Sequence, residues 1–286
     1  MLKGIWYSIA SKEFFLKVLT MFLTIFGGIT VILKPLVNYF PDQIPLGFLG
    51  MGLQLTIALI ASIIINFPTI GFTYKLTSPN TKVTIKIGDL IKESGHIVIG
   101  MNDVFDTEIG DIIKRDSIQG QFLTQIYNSN QEQLDRLIEN ELKKLKTEPK
   151  YDENKNKGKR YRYPIGTTVT IGNENAKYFL SAYSYMGNDL MAQSSLDNLW
   201  HSLNSLWKEI RVKGQGNKVS MGIIGSGLAR IPSARKDVLI KLIVLSFVFS
   251  SKEKYITDEL VIVIHSTDLE YINMVELKNT LKKLCY

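Results

Sequence analysis

The sequence predicts a membrane-spanning helical hairpin followed by an α/β domain, and three observations lead to this prediction. Two stretches of about 20 mainly apolar residues lie near the N-terminus, at residues 14–33 and 46–65. After residue 81, short β-branched runs alternate with amphipathic helical patterns. The composition of the 286 residues, 45% hydrophobic and 21% charged, is typical of one or two folded domains and excludes wholesale disorder.

Each apolar stretch is long enough to cross a hydrocarbon layer roughly 30 Å thick as an α-helix. Lys17 is the only charged residue of the first stretch, and the second stretch has none. Because Lys17 lies near the start of its helix, its long side chain can reach the headgroup region. Prolines in the short connection are expected to end both helices. They are Pro35, Pro41 and Pro45.

A cleaved signal peptide and a buried hairpin are the alternatives for this region, residues 1–75. A signal peptide would have a shorter apolar part and no second spanning segment directly after it. A buried hairpin with almost no polar face would need a much larger protein around it. More lysines flank the two outer ends of the hairpin than lie in its connection. This bias predicts a multi-pass protein of the inner membrane with both termini in the cytoplasm.

Strands and helices alternate in the second region, residues 81–286. Val83–Ile87 alternates with period two, whereas His96–Met101 and Val219–Ile224 are apolar runs typical of strands covered on both faces. Thr267 and Glu270 fit a capping box that opens a C-terminal helix. Further strands are expected at residues 166–172, 178–184 and 259–265, and helices at residues 119–146, 196–210 and 234–249. This order predicts a three-layer α/β sandwich.

A charged segment at about residues 141–163 interrupts this order. It contains nine basic and four acidic residues and scarcely an aliphatic one after Leu145. Such a composition cannot bury a core, so a solvated loop or mobile insertion is expected. Contact with anionic lipid or a nucleotide is the less favoured alternative.

Residues that carry catalytic chemistry are scarce in this sequence. The three histidines have no metal-ligand spacing, and the single cysteine, Cys285, has no companion base. Asp103 and Asp106 are close in sequence but are expected to be solvated loop carboxylates. No metal site, cofactor or enzymatic activity is therefore predicted. The net charge of +7 fits a nucleic-acid, nucleotide or anionic-membrane partner without choosing among them.

A glycine turn follows one buried strand and precedes a helix, at residues 225–232. Its glycines let backbone N–H groups approach a diphosphate, and Arg230 can add a full positive charge. A tight turn without a ligand is the alternative. A second loop, residues 117–122, also enters a helix, and ligands of α/β sheets bind where such loops meet beyond the strand ends.

These residues resemble the macro domain, the α/β/α module that binds ADP-ribose. Ile87–Leu90 is similar to that family's Gly-Asp-Ile segment, whose aspartate holds adenine, and Ile97–Asn102 is similar to its Ile-Val-Asn-Ala-Ala-Asn run. Gly225–Pro232 is similar to the family's phosphate loop, with Arg230 where a glycine is usual, and Ile99 stands in place of the run's first asparagine. The resemblance implies a macro-like domain with a mixed sheet.

Two membrane helices joined to a divergent macro domain resemble the ThsA effectors of type II Thoeris, a bacterial anti-phage system. The resemblance implies that Asp89 and Leu90 contact adenine, that Asn102 lies near the distal ribose, and that Gly225–Arg230 hold the diphosphate. The complete set of candidate ligand-binding residues is Asp89, Leu90, Asn102, Ser117, Gln119, Gly120, Gln121, Gly225, Ser226, Gly227, Leu228, Ala229 and Arg230.

The resemblance further implies a function. A TIR-domain partner makes an ADP-ribose-derived signal, with histidine linked to ADP-ribose; the macro domain binds it, the chain forms a homo-oligomer, and the lipid bilayer is disrupted so that the infected cell dies. Nucleic acid is not an expected partner. Two alternatives remain open: a membrane-anchored ADP-ribosyl hydrolase, which turnover would reveal, and a passive anchor for a nucleotide-binding module, which would not be toxic on activation.

Overall fold

The computed structural model describes residues 9–10, 12–39, 47–67, 71–227, 231 and 234–285. Its first two long helices, α1 (Lys12–Tyr39) and α2 (Phe48–Asn66), pack against each other. The Gln54 side chain joins them, since its Nε2 donates to the Phe26 carbonyl oxygen at 3.0 Å. By length and composition both helices are apolar enough to cross a membrane. They agree with the predicted hairpin.

The prediction that Pro35 ends the first helix was wrong, because α1 continues through it to Tyr39. A proline inside a helix removes one backbone hydrogen bond and kinks the helix, and here the remaining bonds carry the helix on for another turn. The predicted second stretch began at Leu46, whereas α2 begins at Phe48. Pro41, Pro45 and Leu46 lie outside the described residues.

A mixed β-sheet forms the middle layer of the domain after the hairpin. Its strands are β1 (Gly71–Leu76), β2 (Thr81–Ile87), β3 (His96–Asn102), β6 (Thr168–Gly172), β7 (Lys177–Met186), β8 (Ala192–Gln193), β9 (Val219–Met221) and β10 (Glu259–Ile264), and a separate pair is β4 (Lys150–Tyr151) and β5 (Tyr161–Arg162). The strand order is β1-β2-β10-β9-β3-β7-β6, with β8 pairing β7. The strands from β2 to β7 are parallel, whereas β1 and β6 are antiparallel to their neighbours.

Helices cover both faces of this sheet and complete the predicted three layers. Short α3 (Ile118–Gln121) continues into a π-helical turn (Phe122–Ile126), and α4 (Gln131–Lys144) follows; α5 (Leu196–Lys213), α6 (Lys236–Glu253) and α7 (Met274–Cys285) come later. One core lies between the sheet and α5, α6 and α7, where the Trp207 ring meets Phe247 at 5.3 Å. The other core lies on the opposite face under α3 and α4, around Ile99 and Ile138.

Two predicted helix boundaries were wrong. The helix expected at residues 119–146 is broken before α4, since Asn128 and Ser129 adopt positive φ angles of 49° and 62°. Left-handed backbone cannot continue a right-handed helix. Thr267 and Glu270 lie inside a 3₁₀ helix (Ser266–Tyr271), and the C-terminal α7 begins later, at Met274.

Helix α7 connects the domain to the apolar hairpin. It packs on the edge strand β1, where the Tyr74 hydroxyl donates to the Lys278 carbonyl oxygen at 2.9 Å. One residue further along, the Asn279 side-chain oxygen accepts a hydrogen bond of 2.7 Å from Lys17 Nζ in α1. The hairpin and the sheet therefore share one contact surface, which α7 provides.

Candidate functional site

The carboxyl ends of the parallel strands meet at one edge of the sheet. Asp89 follows β2, Gly225 follows β9, and Asn102 ends β3. Since β10 and β9 lie between β2 and β3, the ends of β2 and β3 are separated by three strand spacings, or about 14 Å. A carboxylate, a glycine loop and an amide thus follow each other along this edge, an arrangement that suits an elongated ligand.

Asp89 caps the short 3₁₀ helix Leu90–Lys92 that follows β2. Its Oδ1 accepts from the Ile91 backbone N–H at 3.1 Å, and its Oδ2 lies 3.3 Å from Lys92 Nζ. The side chain is half-buried, so the capping bond fixes its orientation while part of it stays accessible. Leu90 is buried behind it, and a Cβ on Gly222 would lie 3.6 Å from Leu90 Cδ2. The loops that follow β2 and β9 therefore pack together.

The glycine turn after β9 is held from inside the domain. Gly225 has a φ of 87°, which favours glycine, and its carbonyl accepts from the Ile231 N–H at 3.3 Å. The Ser226 hydroxyl donates to the Ile223 carbonyl at 2.7 Å, whereas Gly227 is exposed, with nothing within 4 Å of a built Cβ. An open glycine lets a ligand approach the backbone closely.

Other candidate residues of this turn lie outside the described residues; they are Leu228, Ala229, Arg230 and Pro232.

Tyr183 on β7 supports this turn and was missed at the sequence level. Burial raises the pKa of its hydroxyl to about 12, while a hydrogen bond from the Gly225 backbone N–H acts in the opposite direction. Its ring covers Gly100 of β3, where an added Cβ would lie 2.7 Å from Tyr183 Cε1. Only the absence of a side chain at Gly100 permits this packing. A glycine in the predicted strand His96–Met101 was the signal in the sequence that a large side chain, here that of Tyr183, packs against this strand.

Asn102 is buried at the end of β3, with 2% of its surface exposed. Its Oδ1 accepts from the Asp106 backbone N–H at 3.0 Å, and its Nδ2 donates to Asp106 Oδ2 at 3.2 Å. The amide thus shapes the turn after β3. Ile99, at the position where the resemblance places another asparagine, is completely buried in the core under α3 and α4.

The second predicted loop, Ser117–Gln121, forms α3 and its cap beside β3. The Ser117 hydroxyl accepts from the Gly120 N–H at 3.1 Å, and Gln119 Nε2 donates to the Gly100 carbonyl at 2.7 Å. A Cβ on Gly120 would lie only 2.3 Å from the Lys114 carbonyl oxygen. Gln121 Nε2 donates to the Asp116 carbonyl at 2.8 Å. These bonds fix the loop against the same strand that carries Asn102.

The prediction that Asp103 and Asp106 are solvated was wrong, because both are almost completely buried. Asp103 accepts from the Met186 backbone N–H at 2.9 Å and forms an ion pair with Arg162. Asp106 Oδ1 accepts from the Lys159 N–H at 2.8 Å. Burial raises the pKa of Asp106, and its hydrogen bond with the Lys159 backbone is the largest of the opposing effects. Sequence spacing gave no signal for this, since the partners are more than 50 residues away.

The cations that meet these carboxylates come from the charged insertion, which is therefore not the solvated loop that its composition predicted. Strands β4 and β5 pair as an antiparallel ladder, and Lys155 between them is only 1% exposed, with its Nζ 3.9 Å from Asp106 Oδ2. Lys159 pairs with Asp135 of α4. Buried carboxylates need partners, and the insertion supplies them without an aliphatic core.

Comparison with known proteins identifies the family. A family model described as the macro domain of Thoeris protein ThsA matches residues 83–265. The chain belongs to this family. The matched range begins inside β2 and ends one residue after β10, so it contains the edge that carries Asp89, Asn102 and the glycine turn. The resemblance inferred from the sequence is confirmed.

A second comparison extends the ThsA match beyond the macro domain. Thoeris protein ThsA of Bacillus amyloliquefaciens (strain Y2) is 29% identical over 237 residues, which cover 80% of this chain and 76% of the relative. The alignment is longer than the family match of residues 83–265. The likeness to ThsA therefore includes sequence outside the macro domain.

Solved macrodomains of Oceanobacillus iheyensis have the same fold. One variant superposes with a TM-score of 0.50 and 12% identity, over 75% of this chain and 100% of that chain. Another variant, solved with ADPR, gives a TM-score of 0.50 and 14% identity, over 75% and 98% of the two chains. At such identities the likeness shows the fold alone, and it confirms the predicted macro-type sandwich.

Proposed function

We propose that this chain is a signal-gated membrane effector of Thoeris anti-phage defence. The observation that carries the proposal is the union, in one ThsA-family chain, of a macro-type strand edge with two helices apolar enough to cross a membrane. A binding module alone would not need the hairpin, and an anchor alone would not need the loops at the strand ends. The ThsA relative supports the assignment to Thoeris.

The signal is an ADP-ribose derivative that lies along the carboxyl edge of the sheet. Asp89 and Leu90 contact its adenine, Gly225–Arg230 hold its diphosphate, and Asn102 and the Ser117–Gln121 loop border its distal ribose. The order of these groups, spread over about 14 Å between β2 and β3, supports this placement. The structure of an Oceanobacillus iheyensis macrodomain variant solved with ADPR supports an ADP-ribose-type ligand.

Two features of the distal end favour binding over hydrolysis. Ile99 is completely buried and has no polar atom to position a water molecule. Both ends of the Asn102 amide are engaged with Asp106, so the amide serves the turn. An enzyme would need a polar group there that holds the attacking water, as general acid–base chemistry requires. These two features support a sensor over a hydrolase.

The physical logic of gating is differential affinity. A signal can shift the chain toward an assembled state only if it binds that state more tightly than the resting state. A TIR-domain partner makes the signal, with histidine linked to ADP-ribose, and homo-oligomerisation aligns several hairpins so that they disrupt the bilayer. The hairpin spans the inner membrane with both termini in the cytoplasm, where the signal is made.

Calorimetric titration of the detergent-solubilised full chain with ADP-ribose and with its histidine conjugate tests this proposal. We expect tight binding with preference for the conjugate, and no product by chromatography. Asp89→Asn should weaken binding by about 10- to 100-fold, the value of one hydrogen bond to a charged group. The matched control is Asp258→Asn, an exposed carboxylate that precedes β10 at the opposite edge.

Three results would contradict parts of this reading. Absence of binding to both compounds would remove the sensor assignment. Release of free ADP-ribose from a conjugate would establish the hydrolase instead. Equal weakening by Asp258→Asn and Asp89→Asn would remove the adenine assignment of Asp89.

A further inference from the structure

Three lysines of the C-terminal helix α7 are exposed. They are Lys278, Lys282 and Lys283. The inner side of the helix packs into the domain core through Met274, Val275, Leu277, Leu281 and Cys285. The lysines are thus fixed on a packed helix. In the part of the chain that the structure describes, no carboxylate pairs with any of them.

The position of these lysines relative to the start of α1 follows from one contact. Asn279 on α7 accepts its 2.7 Å hydrogen bond from Lys17, which lies in the second turn of the apolar helix α1. Positions 279, 282 and 283 share a helix face, because residues three and four apart are neighbours. Lys282 and Lys283 therefore lie within about one turn, roughly 5 Å, of the residue that touches the hairpin.

We infer that Lys278, Lys282 and Lys283 form a binding surface for the headgroups of anionic phospholipids. The inference rests on the proposed membrane anchor. If α1 spans the membrane, Lys17 in its second turn lies at the boundary between lipid and water. Charges this close to the boundary lie within the Debye length of about 8 Å at physiological salt. Lys12, exposed at the start of α1, adds a fourth positive charge near the same boundary.

The position of the lysines selects lipid over other polyanions. The surface adjoins the entry of α1 into the apolar layer, so a bilayer approaches it without any further partner. Each lysine near an anionic surface is worth about 1 kcal/mol, which corresponds to about a five-fold preference for anionic over neutral lipid. The effect on the chain is to hold α7, and the domain that packs on it, against the membrane.

Amine labelling of the full chain in lipid nanodiscs tests this inference. The protein is reconstituted in phosphatidylcholine alone and in phosphatidylcholine mixed with phosphatidylglycerol, and lysine modification is measured by mass spectrometry. We expect about five-fold slower labelling of the three α7 lysines in the anionic discs, and loss of this protection at high salt. Lys143 and Lys146, exposed at the far end of α4 and after it, are the internal controls.

A triple variant with Lys278, Lys282 and Lys283 changed to Gln gives a second measurement. Energy transfer from the chain to labelled phosphatidylglycerol should fall to the level seen with labelled phosphatidylcholine, whereas Lys143→Gln with Lys146→Gln should leave it unchanged. Equal labelling in both kinds of disc, with the chain inserted, would overturn the lipid surface alone. Failure of the chain to enter either disc would instead contradict the membrane anchor of the proposed function.

Discussion

The buried ion pair between the insertion and the strand edge makes Arg162→Gln the most informative stability variant. The Arg162 guanidinium pairs with the fully buried Asp103, donates from Nε to Asp152 Oδ2 at 2.7 Å, and donates from Nη2 to the Met186 carbonyl at 2.9 Å. Glutamine keeps a polar side chain of similar width but removes the charge and the forked geometry. Asp103 would then retain only the Met186 backbone N–H as a charge-stabilising partner among the described residues.

The size of the effect follows from burial on the two sides of the pair. Removing one partner of a fully buried pair costs about 3–5 kcal/mol because the other charge is left uncompensated. The Arg162 side chain is 25% exposed, so water screens part of the interaction, and one hydrogen bond to Asp103 survives. We therefore expect a loss of about 2–3 kcal/mol. For a domain of this size the Tm should fall by about 4–12 °C.

Thermal unfolding of the solubilised chain, followed by near-ultraviolet circular dichroism, measures this loss. The control is Arg160→Gln, which removes an exposed arginine of the same charged insertion, whose Nη1 donates to the Tyr151 hydroxyl at 3.1 Å. This variant should change the free energy of unfolding by less than about 0.5 kcal/mol. A double variant with Asp103→Asn should recover part of the loss, because it removes the uncompensated charge. If Arg162→Gln unfolds at the same temperature as Arg160→Gln, the insertion is a solvated loop after all.

Three further predictions follow from single contacts. Gly120→Ala should destabilise the domain by about 1–3 kcal/mol in thermal unfolding, because its Cβ would meet the Lys114 carbonyl oxygen, whereas Gly227→Ala should be neutral. Because burial raises the pKa of Asp106, the folded chain binds that proton more tightly than the unfolded chain. Its Tm should therefore fall as the pH rises from about 4 through the raised pKa, and Asp106→Asn should flatten this part of the profile. Asn279→Leu should leave signal affinity in titration within about two-fold but reduce signal-dependent toxicity, since it removes the hydrogen bond to Lys17 of α1; unchanged toxicity would show that this hydrogen bond transmits nothing.

The fold was predictable wherever burial follows a regular period. The apolar run from His96 forms β3, whose residues are buried on both faces of the sheet, and the leucine and tryptophan stripe forms α5 with Trp207 in the core. The hairpin was predictable from length and polarity alone. In each case neighbouring residues in the sequence carry the whole signal, so no knowledge of distant partners is needed.

The charged insertion was not predictable because its stabilising contacts are distant in sequence. Lys155 and Arg162 are typical surface residues by composition, and only the buried carboxylates 49 and 59 positions earlier make their burial favourable. The same holds for those carboxylates, whose burial would be prohibitive without the insertion. By composition alone, both the insertion and the carboxylates are expected to be solvated. Inside the protein only the paired charges are stable.

The candidate site was predictable in its order along the edge but not in its internal bonding. Strand ends and glycines indicated that Asp89, Asn102 and Gly225 follow strands of one sheet, and the parallel strands bring them to one edge. Their contact with a ligand stays a prediction. Nothing in the sequence indicated that Asn102 is committed to the turn. Only the strand glycine Gly100 pointed to a large neighbour such as Tyr183, which supports Gly225 from β7, two strands away from β9. Both depend on side-chain directions at the strand ends, which a periodic pattern does not specify.

The path from the carboxyl edge of the sheet to the hairpin is short, and under the proposed function this limits how a signal can act. Strand β10 ends at Ile264 on the ligand edge, the 3₁₀ helix Ser266–Tyr271 follows at once, and α7 then leads to the contact between Asn279 and Lys17. A ligand that draws the loops of this edge together therefore acts on the element that leads directly into α7. Since α7 is packed into the main core through its inner side, we expect it to shift as one helix. The expected response is a displacement of the whole α7–α1 contact, which changes the relation of the hairpin to the domain and leaves both structures intact.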